Sequence, residues 1–312
     1  MRIALVDPSR TVQRIVSGII EPWGHEVRCF VDGPQALTFL QADPIVRALI
    51  SSVELASYSG MRLVREARLL ASSQRPLYIV IMSSSAERSK MIESLENGAD
   101  DCISKPLAPE ELRARLRAAD RITSMQAQLI LHATTDSLTG LLNRRAFMEA
   151  GAKAVEWARS GYPLSVFLCD LDRFKAINDN NGHEAGDLVL RSFSEEAKTT
   201  SLTVGRLGGE EFGFLIQQPL DDAVQMAEQL REAIAERSIK AFGKTIGITC
   251  SIGVAEWEAG DTVDSLFRRA DVALYEAKRS GRNRVVAADT FALGEEHDNW
   301  HGVARHHPRP VN

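Results

Sequence analysis

Over its first 106 residues the chain alternates short apolar runs with longer amphipathic ones, and this alternation restricts the fold more than any other feature. Strands are predicted at 3–6, 26–30, 48–50, 77–82 and 101–103, with helices at 11–20, 33–40, 60–70 and 86–97, the last closed by Gly98. Strands separated by helices of about ten residues require crossover connections, so the sheet is parallel and covered on both faces. The carboxyl ends of such strands are where a doubly wound sheet places its chemistry.

At 312 residues, 44% hydrophobic and 25% charged, the chain has room for two domains with real cores. The formal net charge is -5 and no segment carries a dense Lys/Arg stripe, which argues against a nucleic-acid partner but leaves free nucleotides admissible. A charge arrives at Asp7, too early for a signal-peptide core, and no uncharged stretch reaches membrane-spanning length, so a cytoplasmic protein without a membrane partner is expected. Cys29, Cys102, Cys169 and Cys250 are scattered in or beside apolar runs, which predicts buried reduced thiols rather than disulfides or a metal site.

The run Gly98-Ala99-Asp100-Asp101-Cys102-Ile103-Ser104-Lys105-Pro106 resembles the end of a response-regulator receiver domain, a flavodoxin-like fold, and the resemblance covers residues 1–120. Receivers carry two adjacent acids after the first strand to hold Mg²⁺; here Asp7 is followed by Pro8. The phosphoacceptor aspartate, eight residues before a glycine, falls on Ser52 when counted back from Gly60. A serine hydroxyl has neither the nucleophilicity nor the charge of that carboxylate. Ser83 and Lys105 match the family's switch hydroxyl and lysine. The resemblance therefore implies a receiver that keeps its fold but is not phosphorylated, serving dimerisation or docking of a protein partner; the alternative is that Glu54, two residues away, restores some response to metal or phosphate.

Leu112, Leu116, Ala119, Ile122, Met125 and Leu129 recur at helical spacing through residues 107–135. The last receiver helix is thus expected to continue into a linker at 121–135, its first half packing on the receiver and its second half available to a twin. Beyond it, helices are predicted to about residue 160 and at 183–199, 221–237 and 263–279, with strands at 164–169, 246–255 and 283–287 and a hairpin between 204 and 216. Hairpins mixed with crossovers suit an α+β, ferredoxin-like palm of the nucleotidyl-cyclase kind over residues 136–289. Residues 290–312, with His297, His301, His306 and His307, read as a disordered tail.

The hairpin reads Val204-Gly205-Arg206-Leu207-Gly208-Gly209-Glu210-Glu211-Phe212. Gly208-Gly209 can take the positive φ angles of a tight turn and leave no side chain to obstruct a ligand. Glu210 is expected to open the second strand, with Glu211 pointing to the opposite face. Asp170 closes the strand at 164–169, so if the strands are neighbours the carboxylates meet at one sheet edge. Two carboxylates and a main-chain carbonyl, for which Leu171 is the candidate, are hard oxygen donors suited to Mg²⁺. A dense polar run follows, including Lys175, Asn178, His183, Gly186 and Asp187.

Together with the opening Asp136-Ser137-Leu138-Thr139-Gly140-Leu141-Leu142-Asn143-Arg144 and the closing Tyr275-Glu276-Ala277-Lys278-Arg279-Ser280-Gly281-Arg282-Asn283, these motifs resemble GGDEF-type diguanylate cyclases over residues 136–287. The resemblance implies that two GTP molecules, one per protomer of a homodimer, are joined into cyclic di-GMP with release of pyrophosphate. It makes Asp170, Leu171 and Glu210 ligands of Mg²⁺ or Mn²⁺, with Glu211 beside them, and gives the guanine to Asn178 and Asp187, with Gly208, Gly209 and His183 in the substrate site. Lys278 and Arg282, four apart near a helix end, would reach the β and γ phosphates, with Lys175 from the other side. Glu210 is also a candidate base for the ribose 3′-hydroxyl, as is a metal-bound hydroxide. The family's Arg-x-x-Asp product site falls here on Thr199, Thr200, Ser201 and Leu202, so strong product inhibition there is not expected. A non-catalytic sensor of GTP or cyclic di-GMP is the alternative from another class.

Overall fold

The structure is a computed structural model describing residues 1–55, 58–71, 75–84, 88–200 and 202–288, so the predicted tail and the predicted helix start at residue 86 lie outside the described residues. The chain divides into two compact units between Ala133 and Thr134.

In the first unit β1 (Arg2–Val6), α1 (Arg10–Ile20), β2 (Glu26–Phe30), α2 (Gly33–Ala42), β3 (Val46–Ser52), α3 (Gly60–Leu70), β4 (Tyr78–Ser84), α4 (Arg88–Glu96), β5 (Asp101–Lys105) and α5 (Pro109–Thr134) follow one another. The strands form one parallel sheet in the order β2-β1-β3-β4-β5, the doubly wound arrangement expected. Alternation along each strand divides the core. Ala4, Val6, Leu49 and Ile81 pack towards α2 and α3, whereas Ile3, Leu5, Ile50 and Val80 pack towards Val16 and Ile20 of α1 and Leu112, Leu116 and Ala119 of α5. Side chains start the helices: Ser9 Oγ accepts from the Val12 N–H and Asp32 Oδ1 from the Gln35 N–H. One cysteine departs from expectation. Cys29 is exposed because β2 is the edge strand, whereas Cys102, Cys169 and Cys250 are buried. The α5 stripe changes character along its length: Leu112, Leu116 and Ala119 are fully buried, while Ile122, Met125 and Leu129 are 37%, 57% and 67% exposed.

The second unit runs β6 (Leu142–Asn143), α6 (Arg144–Ala158), β7 (Ser165–Leu171), α7 (Phe174–Asn181), α8 (His183–Thr199), β8 (Thr203–Gly208), β9 (Glu211–Ile216), α9 (Leu220–Glu236), β10 (Ser238–Ala241), β11 (Lys244–Gly247), β12 (Cys250–Glu256), α10 (Val263–Arg279) and β13 (Val285–Ala287). Six strands form a mixed sheet, β13-β12-β7-β9-β8-β6, the expected palm. The strand predicted over 246–255 is in fact two. Phe242 and Gly243 take left-handed φ angles of 50° and 78°, turning β10 back onto β11 as a separate hairpin before β12 begins.

Two close approaches set the spacing of this unit. Gly205 and Gly213 face each other across β8 and β9, and the fully buried Phe147 ring of α6 fills the space above them, so a Cβ on Gly205 would come within 2.6 Å of Phe147. Gly253 of β12 lies directly against the backbone of α10 at Ala270 and Leu274. Among the described residues no helix is long and apolar enough to cross a membrane.

Candidate active site

The two central strands of the palm bring the acids together. β7 and β9 are antiparallel with Asp170 directly opposite Glu211. The hairpin turns through Gly209 and Glu210, so the register expected from the sequence is corrected by one residue: Glu210 sits in the turn and Glu211 opens β9. The cause is the pair of glycines. Gly208 and Gly209 adopt φ of 155° and 51°, and the β8–β9 register shifts between Arg206 and Gly208, which lengthens the tip. Beyond the adjacent residues, nothing lies within 4 Å of where a Cβ would stand on either glycine, so the space above the tip is open. The Leu171 N–H donates to the Glu210 carbonyl at 3.3 Å, which ties the turn to the end of β7.

Electrostatics at this edge are unfavourable to the acids as they stand. Burial raises the Asp170 carboxyl above its ordinary range, and the neighbouring charges of Glu210 and Asp172 push the same way against the hydrogen-bonded Lys278 ammonium. Burial, then the charge of Asp170, raises Glu211 likewise. Lys278 Nζ stands 2.8 Å from Asp170 Oδ2 and supplies the local countercharge. Such acidic oxygens beside an open space fit a divalent cation, which relieves the repulsion that one ammonium only partly offsets. Among the described residues no three His, Cys, Asp or Glu side chains already form a cage, and Mg²⁺ bound together with phosphates needs fewer.

Lys278 and Arg282, expected four apart near a helix end, lie on either side of that end. α10 stops at Arg279, and Gly281, Arg282 and Asn283 all have positive φ (119°, 66° and 44°), so the chain turns away before Arg282 and leaves it exposed. Lys175 is exposed on the first turn of α7, a full helix where the sequence shows a turn-rich run. Asn178 on α7 packs over Gly186 of α8, where a Cβ would overlap its Oδ1. That amide oxygen is buried and has no hydrogen-bond partner in the protein. Asp187, half-buried, adjoins Gly186, and His183 is exposed at the start of α8.

Three contributors have roles that the sequence does not show. Arg206 donates from Nη1 to Asp136 Oδ1 at 3.0 Å and from Nε and Nη2 to the Gly209 carbonyl at 2.9 and 2.7 Å. Asp136 also accepts from the Thr139 N–H and hydroxyl, so this one guanidinium clamps the hairpin tip to the start of the domain. Asp172 is buried and accepts from Thr249, Ser251 and Asn283. A charge inside an otherwise apolar strand was the available signal for Arg206; nothing in the sequence singled out the bonds of Asp172.

Burial alone would raise the Asp136 carboxyl, but the hydrogen bonds from Thr139 and Arg206 outweigh it and hold the group below its ordinary range. A depressed carboxyl stabilises the fold above its unfolded pKa, and the contribution is lost as pH falls through the ordinary aspartate range and below. Arg206→Ala is expected to cost about 1–3 kcal/mol at neutral pH. It should also flatten the acid limb of a stability-against-pH curve measured by urea unfolding; an unchanged limb would show that the clamp carries no such linkage.

In the first unit the receiver-like pocket is closed on itself. Lys105 Nζ is 2.6 Å from Asp7 Oδ2 and 3.1 Å from Ser52 Oγ, and the Ser9 N–H donates to Asp7 Oδ1. Ser83 Oγ is buried without a hydrogen-bond partner.

Residues 133–284 match the family described as diguanylate cyclase, GGDEF domain, and residues 3–117 match the response regulator receiver domain. The chain is 33% identical over 301 residues to the response regulator PleD of Caulobacter vibrioides, an alignment covering 91% of this chain and 65% of PleD. It is 43% identical over 170 residues to the diguanylate cyclase DgcM of Escherichia coli, covering 53% of this chain and 40% of DgcM. A crystal structure of the coiled coil and GGDEF domain of DgcB from Caulobacter crescentus, in complex with c-di-GMP, is similar with a TM-score of 0.54 at 32% identity, covering 57% of this chain and 98% of that one. This chain belongs to the GGDEF family, with a receiver domain preceding the GGDEF domain. It spans less than two thirds of the length of PleD and of DgcM.

Proposed function

We propose that the protein is a diguanylate cyclase that condenses two GTP molecules into cyclic di-GMP and two pyrophosphates across a homodimer. The observation that carries the reading is the convergence of Asp170, Glu210 and Glu211 at one sheet edge beneath the open glycine tip. Asp170, Glu210 and the Leu171 carbonyl, with Glu211 beside them, would hold Mg²⁺ or Mn²⁺, which when bound supplies charge neutralisation for phosphoryl transfer. The remaining work belongs to the chain. The unpaired Asn178 Oδ1 and the Asp187 carboxylate can accept from guanine N1 and N2, a donor pair that adenine lacks. Lys278, Arg282 and Lys175 would neutralise the triphosphate, and Glu210 or a metal-bound hydroxide would take the 3′-hydroxyl proton.

One domain holds one nucleotide, so the reaction needs two domains face to face. The exposed Ile122, Met125 and Leu129 of α5 are the surface we assign to pairing with a second copy, which raises the effective concentration of the catalytic domains. The receiver serves as an adapter or partner-docking module rather than a phosphorylation switch, because the Lys105 charge is already taken by Asp7 and the acceptor position is Ser52. We assign the division of labour as receiver to residue 120, helical linker to 135 and cyclase from 136. Thr199, Thr200 and Leu202 offer no arginine or aspartate for product binding, so feedback inhibition there is weak.

Incubating the purified full chain with GTP and Mg²⁺ at micromolar protein tests the reading directly. Cyclic di-GMP should accumulate, at a rate per chain that falls on dilution, and acetyl phosphate should change nothing. Nucleotide binding without product at any concentration would favour the sensor; labelled phosphate retained on the receiver would overturn the adapter role.

A further inference from the structure

The loop after α10 is held in a conformation that its residues do not favour. Gly281, Arg282 and Asn283 are three consecutive positive-φ positions, and the last two are not glycine. L-residues enter the left-handed region only when the surroundings fix them there. The main restraint is Asp172, beyond the end of β7. Its Oδ2 accepts from the Asn283 N–H at 3.0 Å and from Thr249 Oγ1 at 2.7 Å, and its Oδ1 accepts from Ser251 Oγ at 2.7 Å. Its own N–H donates to the Thr249 carbonyl at 2.9 Å. Arg231 Nη1 steadies the same loop through Asn283 Oδ1 at 3.0 Å, and the Arg282 N–H donates to the Ala277 carbonyl at 3.0 Å.

Asp172 is 7% exposed, and among the described residues no lysine or arginine pairs with it. Neutral donors alone satisfy it, one on each of three chain positions that must keep register for the site to exist: Thr249 ahead of β12, Ser251 within β12 and Asn283 in the loop. The exposed Arg282 guanidinium, one residue before Asn283, makes no hydrogen bond or ion pair among the described residues, so it is displayed rather than spent.

We infer that Asp172 is a positioning residue for triphosphate binding: by accepting from the Asn283 N–H it fixes the left-handed loop that presents the Arg282 guanidinium to the β and γ phosphates of the nucleotide. The inference rests on the reading of Arg282 as a phosphate ligand and adds the reason the cation is in place. Asp172 touches neither nucleotide nor reacting atoms. Its charge also weighs on Asp170, and Asp172→Asn, which removes the charge but keeps an oxygen for Asn283, separates that effect from the loop.

The test is a double-mutant cycle on the full chain with two probes, 3′-deoxy-GTP, which lacks the attacking hydroxyl, and GMP, which lacks the β and γ phosphates. Asp172→Ser shortens the side chain and replaces two carboxylate oxygens by one hydroxyl, which withdraws the acceptor from Asn283 and also the carboxylate from Thr249 and Ser251. Arg282→Ala should weaken 3′-deoxy-GTP by about tenfold, the loss expected for one charge-assisted contact. Asp172→Ser should weaken it to a similar extent, the double variant should lose nothing further, and GMP affinity should stay unchanged throughout. Asp172→Asn retains an oxygen for Asn283 and should bind 3′-deoxy-GTP within about threefold of the parent. Additive losses in the double variant, or a loss of GMP affinity equal to that of 3′-deoxy-GTP, would overturn the positioning role. Undiminished 3′-deoxy-GTP binding by Arg282→Ala would remove the phosphate reading and this inference with it. Should Asp172→Ser not fold, Asp172→Asn decides alone, and a tenfold loss in that folded variant overturns the inference.

Discussion

Asp170→Asn and Glu210→Gln are each expected to lower cyclic di-GMP formation by about 10²–10³-fold, the range lost when one group stabilising developing charge is removed. Both substitutions keep side-chain volume and remove only charge, so the fold should survive. For Asp170 the prediction is sharper, because burial and the charges of Glu210 and Asp172 already oppose its ionisation. Neutralising it relieves that repulsion and leaves Lys278 without its partner, so melting temperature should hardly move while turnover collapses. Initial rates of product formation beside thermal melts separate the two effects. Turnover within threefold of the parent for Asp170→Asn would show that the acid is not part of the reacting centre.

Gly253→Ala is expected to produce a large loss of stability for a single added methyl group. Gly253 lies in the middle of β12, where a Cβ would overlap the Ala270 carbonyl oxygen and the Leu274 backbone nitrogen of α10. Overpacking normally costs about 1–3 kcal/mol because side chains shift. Here the obstructing atoms are helix backbone, which cannot rotate away, so a cost of about 3 kcal/mol or more is expected at the upper end of that range. α10 carries Lys278 and leads into the Arg282 loop, so the displacement should also reduce nucleotide affinity. Urea unfolding of the parent and the variant checks the first effect. A shift in midpoint below that expected for about 1 kcal/mol would mean that α10 moves off the sheet freely.

Much of this architecture is legible before any coordinates, and the reasons differ by element. The parallel sheet of the first unit follows from apolar runs spaced by helices, since β3 and β4 are buried on both faces and cannot be mistaken for half-exposed strands. The helices at 183–199 and 263–279 begin and end where expected because their apolar periodicity is unbroken. The β10–β11 hairpin is not legible in the sequence because its turn, Phe242-Gly243, places an aromatic residue at a left-handed position that sequence preference assigns elsewhere. α7 was obscured for a similar reason: its asparagines favour turns, and packing of α7 on α8 overrides them. Cys29 sits in a run that reads as buried, and only the edge position of β2 exposes it.

The sequence by itself determined which chemistry is present: hard oxygen donors at 170, 210 and 211, a glycine tip with no side chains, and cations at 175, 278 and 282. Those are properties of residue type and local order, and no fold can add or remove them. Tertiary structure decided the pairings. Opposing strand registers place Asp170 against Glu211 and leave Glu210 in the turn, a difference of one residue that local sequence does not encode. Contacts from residues far apart in the chain fix the rest: Arg206 joins Gly209 to Asp136, Lys278 meets Asp170, and Asp172 holds Asn283. Hydrogen bonds act over about 3 Å, so partners 70 or 111 positions apart become partners only once the sheet has set their distance.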